Sequence, residues 1–260
     1  MKVFYRMKKT ADKEDIPYNN NIYQGVDGAL KLGLETQSYY IVDEIYADYK
    51  KGDIVLDGVE QVKFCLKKFE IVPSDFDYPS VLKPYLGRKV WIDKINSIAK
   101  DPKKFTAGYF IKPLKQKVFT GRTVSSLQDL IGCGNSRENY EVFVSEPLNI
   151  VYECRGFVYY DDLIDLRPYK GDYRYMGHMD TNVITRAMQD WKKWEERPNA
   201  CSLDFGVVET GNPHQYKTVL VEGNLPYALG CYGCDSLKYI RLINAYIAQI
   251  SGVVDEIRIC

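Results

Sequence analysis

At 260 residues with 45% hydrophobic positions, the chain can bury a large core and suits one large domain or two or three small lobes. Lys plus Arg equals Asp plus Glu at 35 each, so no global field draws the protein to nucleic acid or to anionic lipid. The opening Met-Lys-Val-Phe-Tyr-Arg is neither an apolar signal region nor a transit segment, and no run approaches the ~20 apolar residues of a spanning helix; no membrane partner is expected, and cytoplasm is the expected compartment.

From Met1 to about Ser80, short β-like runs (Val3 to Tyr5, Tyr39 to Val42, Ile54 to Leu56, Phe69 to Val72) alternate with a helical stretch. In that stretch Val59, Val62, Leu66 and Phe69 recur at helical spacing, which lays one apolar face against a sheet. Residues 1–80 therefore read as a small α/β lobe. The segment Pro73 to Pro84 reads as a linker, but its Asp75-Phe-Asp-Tyr composition is not that of a flexible tether, so it is expected to pack.

Residues 81–145 read as a second lobe. A helix is expected over Ile92 to Ala99, then an apolar strand, Tyr109 to Leu114, with Lys112 inside it. A lysine in such a strand either snorkels past its end, here at Pro113, or points at an anion. Lys115, Lys117, a strand or turn at Val118 to Thr120 and the turn Thr120-Gly121-Arg122 follow. Ser125 or Ser126 is placed to cap a short helix over Leu127 to Ile131. Tyr140 to Val144 then alternates as a strand and runs into Ser145-Glu-Pro-Leu, where Pro147 removes a donor and ends the strand or puts it at an edge.

Residues 146–260 read as a third, larger lobe. Ile150 to Val158 and Leu163 to Leu166 flank Tyr159-Tyr-Asp-Asp162 as a hairpin, with Arg167 to Lys170 following. Glu153 and Arg155 stand two apart and hence on one strand face, where a structural ion pair and a ligand contact are both open readings. A helix is expected over Val183 to Trp194. The apolar runs at 203–208 and 219–224 form a second hairpin with its turn at 211–215. Glu222 and Asn224 share a face of its last strand, and Asp204 lies on the neighbouring run. Oxygen-only ligands with few carboxylates suit a Mg²⁺ that keeps its waters; the plainer alternative is a hairpin with polar ends. Leu237, Ile240, Ile243, Tyr246, Ile247 and Ile250 mark a terminal amphipathic helix, capped by Asp235 or Ser236 and stopped by Gly252.

The seven cysteines are odd in number and scattered, which argues against a secreted disulfide framework. Cys231 and Cys234 have the spacing of a redox pair or half a zinc site. No second pair completes such a site, so packing and turn roles are expected.

The order of these elements, a Lys112-Pro113 strand, a Glu153-Cys-Arg155 strand, the Asp204 strand, a Glu222-Gly-Asn224 strand and a terminal helix, resembles the ATP-grasp superfamily over roughly residues 80 to 250. Leu86-Gly87-Arg88-Lys89 ahead of the Lys112 strand and the Phe119-Thr120-Gly121 turn looks like the clade in which arginine replaces the first nucleotide-binding lysine. The segment Lys115 to Ser126 departs from the better-known carboxylate ligases in holding a single glycine. The resemblance implies an α/β (α+β) ATP-grasp fold, ATP and Mg²⁺ as cofactors, and a small lobe ahead of two nucleotide-binding lobes. It further implies that Arg88 and Lys112 hold phosphates, that Glu146 and Leu148 lie at the adenine hinge, and that Asp204, Glu222 and Asn224 hold the metal. Glu153 would orient Arg155 or join the nucleotide site. Arg155, with Arg167 second, would face an acyl phosphate formed from a carboxylate substrate and consumed by an amine-type nucleophile. No protein nucleophile is needed for that chemistry.

Three function classes remain distinct: a carboxylate-amine ligase, a kinase that phosphorylates a hydroxyl, and a non-catalytic nucleotide-binding module. The 22 tyrosines, dense from Tyr159 to Tyr175, could form an aromatic platform, but without a basic excess they do not argue for nucleic acid. Whether the acceptor is an amino acid, a peptide or a protein side chain has no readable code in the chain.

Overall fold

The structure is a computed structural model and describes residues 1–74, 76–101, 108–114, 118–134, 138–212, 214–227 and 229–259. Lys115, Lys117 and Asp75, named above, and Cys260, one of the seven cysteines, lie outside the described residues.

Three four-stranded sheets follow one another along the chain. In the first, β1 (Lys2–Lys9) is flanked by β3 (Glu35–Tyr39) and β4 (Ile54–Leu56), both parallel to it, and β2 (Asp15–Pro17) pairs antiparallel with its far end. Parallel strands need crossovers, and helices supply them: α1 (Asn20–Lys31), the single turn α2 (Asp43–Tyr46) and α3 (Val59–Lys67). The second sheet has the order β5 (Val90–Lys94), β8 (Glu141–Ser145), β6 (Tyr109–Pro113), β7 (Arg122–Val124), with α4 (Ile95–Lys100) behind it. The third has the order β10 (Asp162–Gly171), β9 (Ile150–Tyr159), β11 (Ala200–Glu209), β12 (Tyr216–Asn224), followed in space by α5 (Thr181–Lys192) and α6 (Ser236–Ser251). No helix among the described residues is long and apolar enough to cross a membrane.

Several elements differ from the sequence expectation. Ile92 lies in β5 rather than in a helix, because Val90 to Lys94 pair along β8 and the helix begins only at Ile95. Phe69 to Val72 is not a strand. Glu70 takes φ 60°, and the Phe69 and Glu70 amides bond back to Leu66 and Lys67 as the chain turns out of α3. Tyr39 closes β3, and the apolar residues after it lead into α2. Arg167-Pro-Tyr-Lys170 continues the strand to Gly171, which Pro168 permits because β10 is an edge strand; the ladder shifts register between Pro168 and Lys170. Helix α1 is additional to the expected elements; Asn19 caps it through a bond from the Ile22 amide, and Ile22, Val26 and Ala29 lie on its buried face. The Ser126 capping box at Leu127–Leu130, the Asp235 cap and the left-handed Gly252 stop agree with expectation.

The first and third sheets share a single apolar core, whereas the second sheet builds its own from Ile95, Ile98, Ile111, Val124, Val142 and Val144. The joint between first and third is α6, which buries residues on nearly its whole circumference, against α1 on one side and β9 and β11 on the other. The Pro-containing linker packs into this core through Phe76 and Leu82.

Gly28 on α1 sets the closeness of that joint. A Cβ there would stand 2.1 Å from the Ser236 carbonyl oxygen and 2.9 Å from Ile240. Helix propensity alone would make Gly28→Ala stabilising by about 1 kcal/mol. Overpacking against rigid backbone should reverse the sign and destabilise by about 1–3 kcal/mol in urea unfolding. Gly177→Ala, with nothing within 4 Å of the added Cβ, should leave the midpoint unchanged.

Candidate active site

The third sheet carries a cross-strand row of charged residues. Arg167 stands opposite Arg155, Arg155 opposite Asp204, and Asp204 opposite Glu222, so the four share one face of β10, β9, β11 and β12. Past Asp204 the pairing shifts to Phe205 with Leu220, which leaves Val221 as a bulge in β12.

Asp204 is fully buried, and its oxygens accept from Arg155 Nε at 2.9 Å and Nη2 at 2.7 Å. Burial pushes the Asp204 carboxyl up to about 6, against the pull of the Arg155 hydrogen bonds and charge. Burial pulls Arg155 down, but the bonds and charge of Asp204 outweigh it and its pKa is raised. The guanidinium carbon also lies 5.4 Å from the Tyr169 ring and 5.1 Å from the Tyr232 ring. Tyr169 is itself fixed, its hydroxyl donating to Glu153 Oε2 at 2.5 Å, while Lys170 Nζ meets Glu153 Oε1 at 3.0 Å.

Arg155, Glu222 and Asn224 open onto a cleft of ≈ 610 Å³. Across from them stand Phe110 and Lys112 of β6 with Phe119, Thr120 and Gly121; Leu225, Tyr227, Leu229 and Gly230 close one end. A cavity of ≈ 290 Å³ at the β8–β9 junction is lined by Tyr78, Arg88, Glu146, Leu148 and Lys170, and it shares Phe110 and Glu222 with the cleft. The two spaces therefore meet at Glu222.

Lys112 sits at that meeting point and does not snorkel. Its ammonium is ion-paired with Asp77 from the linker and with Glu222 at 2.8 Å. Burial pulls the lysine down, yet the Glu222 and Asp77 charges more than reverse this, and its pKa is raised. Burial likewise pushes Glu222 up, while Lys112 and a bond from Asn224 bring it below its ordinary value. The Asn224 amide nitrogen donates to Glu222 Oε1 at 3.1 Å and to Asp204 Oδ2 at 3.4 Å.

Arg88 has another occupation here. Nε donates to Ser145 Oγ at 3.3 Å, Nη1 to the Leu86 and Leu220 carbonyls at 3.1 and 3.2 Å, and Nη2 to the Val221 carbonyl at 2.9 Å and the Tyr78 hydroxyl at 3.4 Å. All five donors of the guanidinium are used, two of them on carbonyls at the β12 bulge. Arg88 thus ties the end of β8 to the charged end of β12, and an anion would have to compete with these bonds.

Of the residues singled out from the sequence, Lys112, Arg155, Glu222 and Asn224 line the larger cleft, and Arg88, Glu146 and Leu148 the smaller cavity. Asp204 lies behind Arg155, Glu153 behind Tyr169, and Arg167 pairs with Asp165 one strand further out; none of these three lines either space. Sequence reasoning missed Asp77, Tyr78, Tyr169 and Tyr232. The Asp-rich aromatic composition of the linker was the visible signal for the first two. The Asp77 contact with Lys112, however, joins residues 35 positions apart in sequence. Cys231 and Cys234 are buried free thiols, with the Cys234 amide bonded to the Cys231 carbonyl in a turn.

Residues 85–242 match the family model described as "ATP-grasp domain, R2K clade family 2". Among solved structures, the N5-carboxyaminoimidazole synthetase of Staphylococcus aureus complexed with ADP aligns at TM-score 0.53 and 11% identity, over 97% of this chain and 78% of that one. The N5-carboxyaminoimidazole synthase of Aspergillus clavatus, in complex with ADP and its ribonucleotide, aligns at TM-score 0.51 and 8% identity, over 97% and 77%. At such identities the likeness is one of fold. No curated protein matches the sequence.

The Arg155–Asp204 pair generates a stability test. Arg155→Met leaves a buried carboxylate without its cation and should cost about 3–5 kcal/mol in urea unfolding, whereas Arg155→Met with Asp204→Leu should recover most of the loss. If the two single costs simply add in the double variant, the pair is not coupled.

Proposed function

The chain belongs to the ATP-grasp superfamily, and we propose that it is an ATP-dependent ligase that joins a carboxylate to an amine-type nucleophile through an acyl phosphate. The observation that carries this reading is the continuity of the hinge cavity with the larger cleft at Glu222, with Lys112 at the junction. ATP would place its base against Leu148 and the Glu146-Pro147 backbone, and its phosphates would pass Glu222 toward Lys112.

The residues present fit a divalent cation of the hard, oxygen-seeking kind. Glu222 and Asn224 both open onto the cleft, and the Asn224 nitrogen is engaged by neighbouring carboxylates, which leaves its amide oxygen for another partner. Among the described residues no group of three or more His, Cys, Asp or Glu side chains forms a metal cage, so phosphates and water would complete the shell, as Mg²⁺ prefers. Bound there by Glu222 and Asn224, Mg²⁺ would neutralise phosphate charge as it develops. Asp204, with both oxygens on Arg155 and outside the lining of the cleft, contributes by fixing the guanidinium.

In the reaction a substrate carboxylate oxygen attacks the γ-phosphorus in line, the bond to the β-phosphate oxygen breaks, and ADP leaves. An amine then adds to the acyl phosphate carbonyl carbon and loses a proton to water, and phosphate departs with the bonding pair. Lys112 would exchange its carboxylate partners for phosphate oxygens. Arg155 Nη1, not used on Asp204, would face the carboxylate and then the acyl phosphate, held in place by Asp204 and against the Tyr169 and Tyr232 rings. Arg167 would support this end of the row through its charge.

Two measurements test the reading. Mg²⁺ with ATP should raise the melting temperature of the wild-type protein, and Lys112→Ala should remove most of that rise; an undiminished rise takes Lys112 out of the site. Incubation with ATP, Mg²⁺, hydroxylamine and pools of amino acids or peptides should release ADP and yield a hydroxamate, because hydroxylamine intercepts an acyl phosphate. A stable phosphorylated hydroxyl compound would instead identify a kinase, and AMP with pyrophosphate would exclude the mechanism. In the same assay Glu222→Gln and Asn224→Asp should shift the Mg²⁺ needed for half-maximal turnover by about ten-fold or more. Unchanged titrations would remove this strand from the chemistry.

A further inference from the structure

The ionised groups that line the larger cleft are matched with partners: Lys112 with Asp77 and Glu222, and Arg155 with Asp204 behind it. Beyond Asn224 the lining changes character. Leu225, Tyr227, Leu229 and Gly230 follow along the chain, and Val59, at the start of α3, packs against the same core cluster from the first lobe and lines the cleft with them. Among the described lining residues, none at this end carries a charge. Arg155 is its neighbour, because Gly230 nearly adjoins Tyr232, whose ring stands 5.1 Å from the guanidinium.

This apolar wall is held from behind. Leu225, Tyr227 and Leu229 are all buried, the Tyr227 ring stacks on Tyr246 of α6 at 5.9 Å between centres, and the Tyr239 hydroxyl donates to the Leu229 carbonyl. Val59 and Tyr239 also line a further cavity of ≈ 220 Å³ at the end of β4, where Ile22, Leu56 and Ile243 stand beside the neutral amides of Asn19 and Asn21. The ionised residue in that lining, Asp57, already accepts from the Tyr39 hydroxyl at 2.8 Å and the Gly58 amide at 2.6 Å, and it meets Arg6 at 3.4 Å. The cleft therefore continues past Val59 into a space that offers no unmatched charge among its described lining residues.

A carboxylate held by Arg155 has this wall beside it. A second charge there would exchange water for apolar contacts without a partner, and an ammonium one carbon from the carboxyl group would also stand next to the Arg155 cation. Methylene and methyl groups gain from the same contacts. We propose that the carboxylate substrate is an apolar monocarboxylate with no ammonium beside its carboxyl group, its body lying along Leu225, Tyr227 and Leu229 and running past Val59 into the second cavity. This rests on the reading of Arg155 as the anchor of the substrate carboxylate in an ATP-dependent ligase. A straight-chain acid and the carboxyl end of an apolar peptide share this chemistry; a free amino acid does not.

The test is hydroxamate formation by the full chain with single acids in place of pools. Hexanoate is compared with adipate and 6-aminohexanoate, which carry a second charge at the far end of the same chain, and N-acetylleucine with leucine. Hexanoate and N-acetylleucine should each exceed their charged counterparts in kcat/KM by about ten-fold or more. From butanoate to octanoate kcat/KM should rise about three- to four-fold per methylene. The better of octanoate and N-acetylleucine then tells a straight chain from a peptide end. Val59→Phe, which narrows the passage, should lower kcat/KM for octanoate about ten-fold and leave butanoate within about three-fold. Hydroxamate formed equally well from adipate, 6-aminohexanoate or leucine overturns the inference and leaves the ligase reading standing, whereas no ADP release with any acid overturns both. An octanoate rate untouched by Val59→Phe, or an equal loss on both acids, also overturns it. Should that variant fail to fold, the comparisons among acids on the wild-type chain decide the matter without it.

Discussion

A guanidinium taken out of water must find a carboxylate, and in this protein that requirement fixes the centre of the third sheet. Arg155 and Asp204 face each other across β9 and β11, joined by two hydrogen bonds and covered by Tyr169 and Tyr232. The pair is weak evidence for stability as such, since apolar residues could fill the same volume at no loss. What it supplies is position. With Asp204 fixed, Asn224 is oriented by its bond to Asp204 and Glu222, and Glu222 is set beside Lys112 across the cleft. One buried ion pair thereby sets the geometry of residues on three strands and, through Lys112, of a fourth strand in another sheet.

The bulge at Val221 serves the same end. An extra residue in β12 turns the last part of the strand and leaves the Leu220 and Val221 carbonyls to accept from Arg88. Since Arg88 also bonds Ser145 at the end of β8, the second sheet is pinned to the third at the point where the hinge cavity opens. The second sheet has its own small core, so this pin and the Lys112 ion pairs are the polar links across the cleft among the described residues that the site uses.

Legibility in the sequence followed the range of the interaction. Period-two and period-3.6 patterns exposed β6, β9, β11, β12 and α6, and capping chemistry marked Ser126, Asp235 and Gly252. The order of charged strands was enough to indicate the family and to single out Lys112, Arg155, Glu222 and Asn224, which line one cleft. Errors fell where local pattern was ambiguous. Val90 to Ala99 holds apolar residues that suit either period, and only pairing with β8 decides that its first half is a strand. Arg167 to Lys170, expected to follow the Leu163 to Leu166 strand, continues it, because an edge position tolerates Pro168.

By itself, the sequence determined the strands of the third sheet, the charged residue types that meet at the cleft, and their order along the chain, because these depend on side chains within a few positions of one another. Tertiary structure decided which charges meet. That Lys112 lies between Asp77 and Glu222, that Arg88 spends its donors on a bulge in β12, and that Asp204 stands behind Arg155 rather than in the cleft all depend on strands brought together from 35 to 133 positions apart. No local pattern encodes such a distance, since the partner of a buried charge is selected by the packing of whole sheets, and a carboxylate looks the same in sequence whether it will hold a metal, a lysine or a guanidinium.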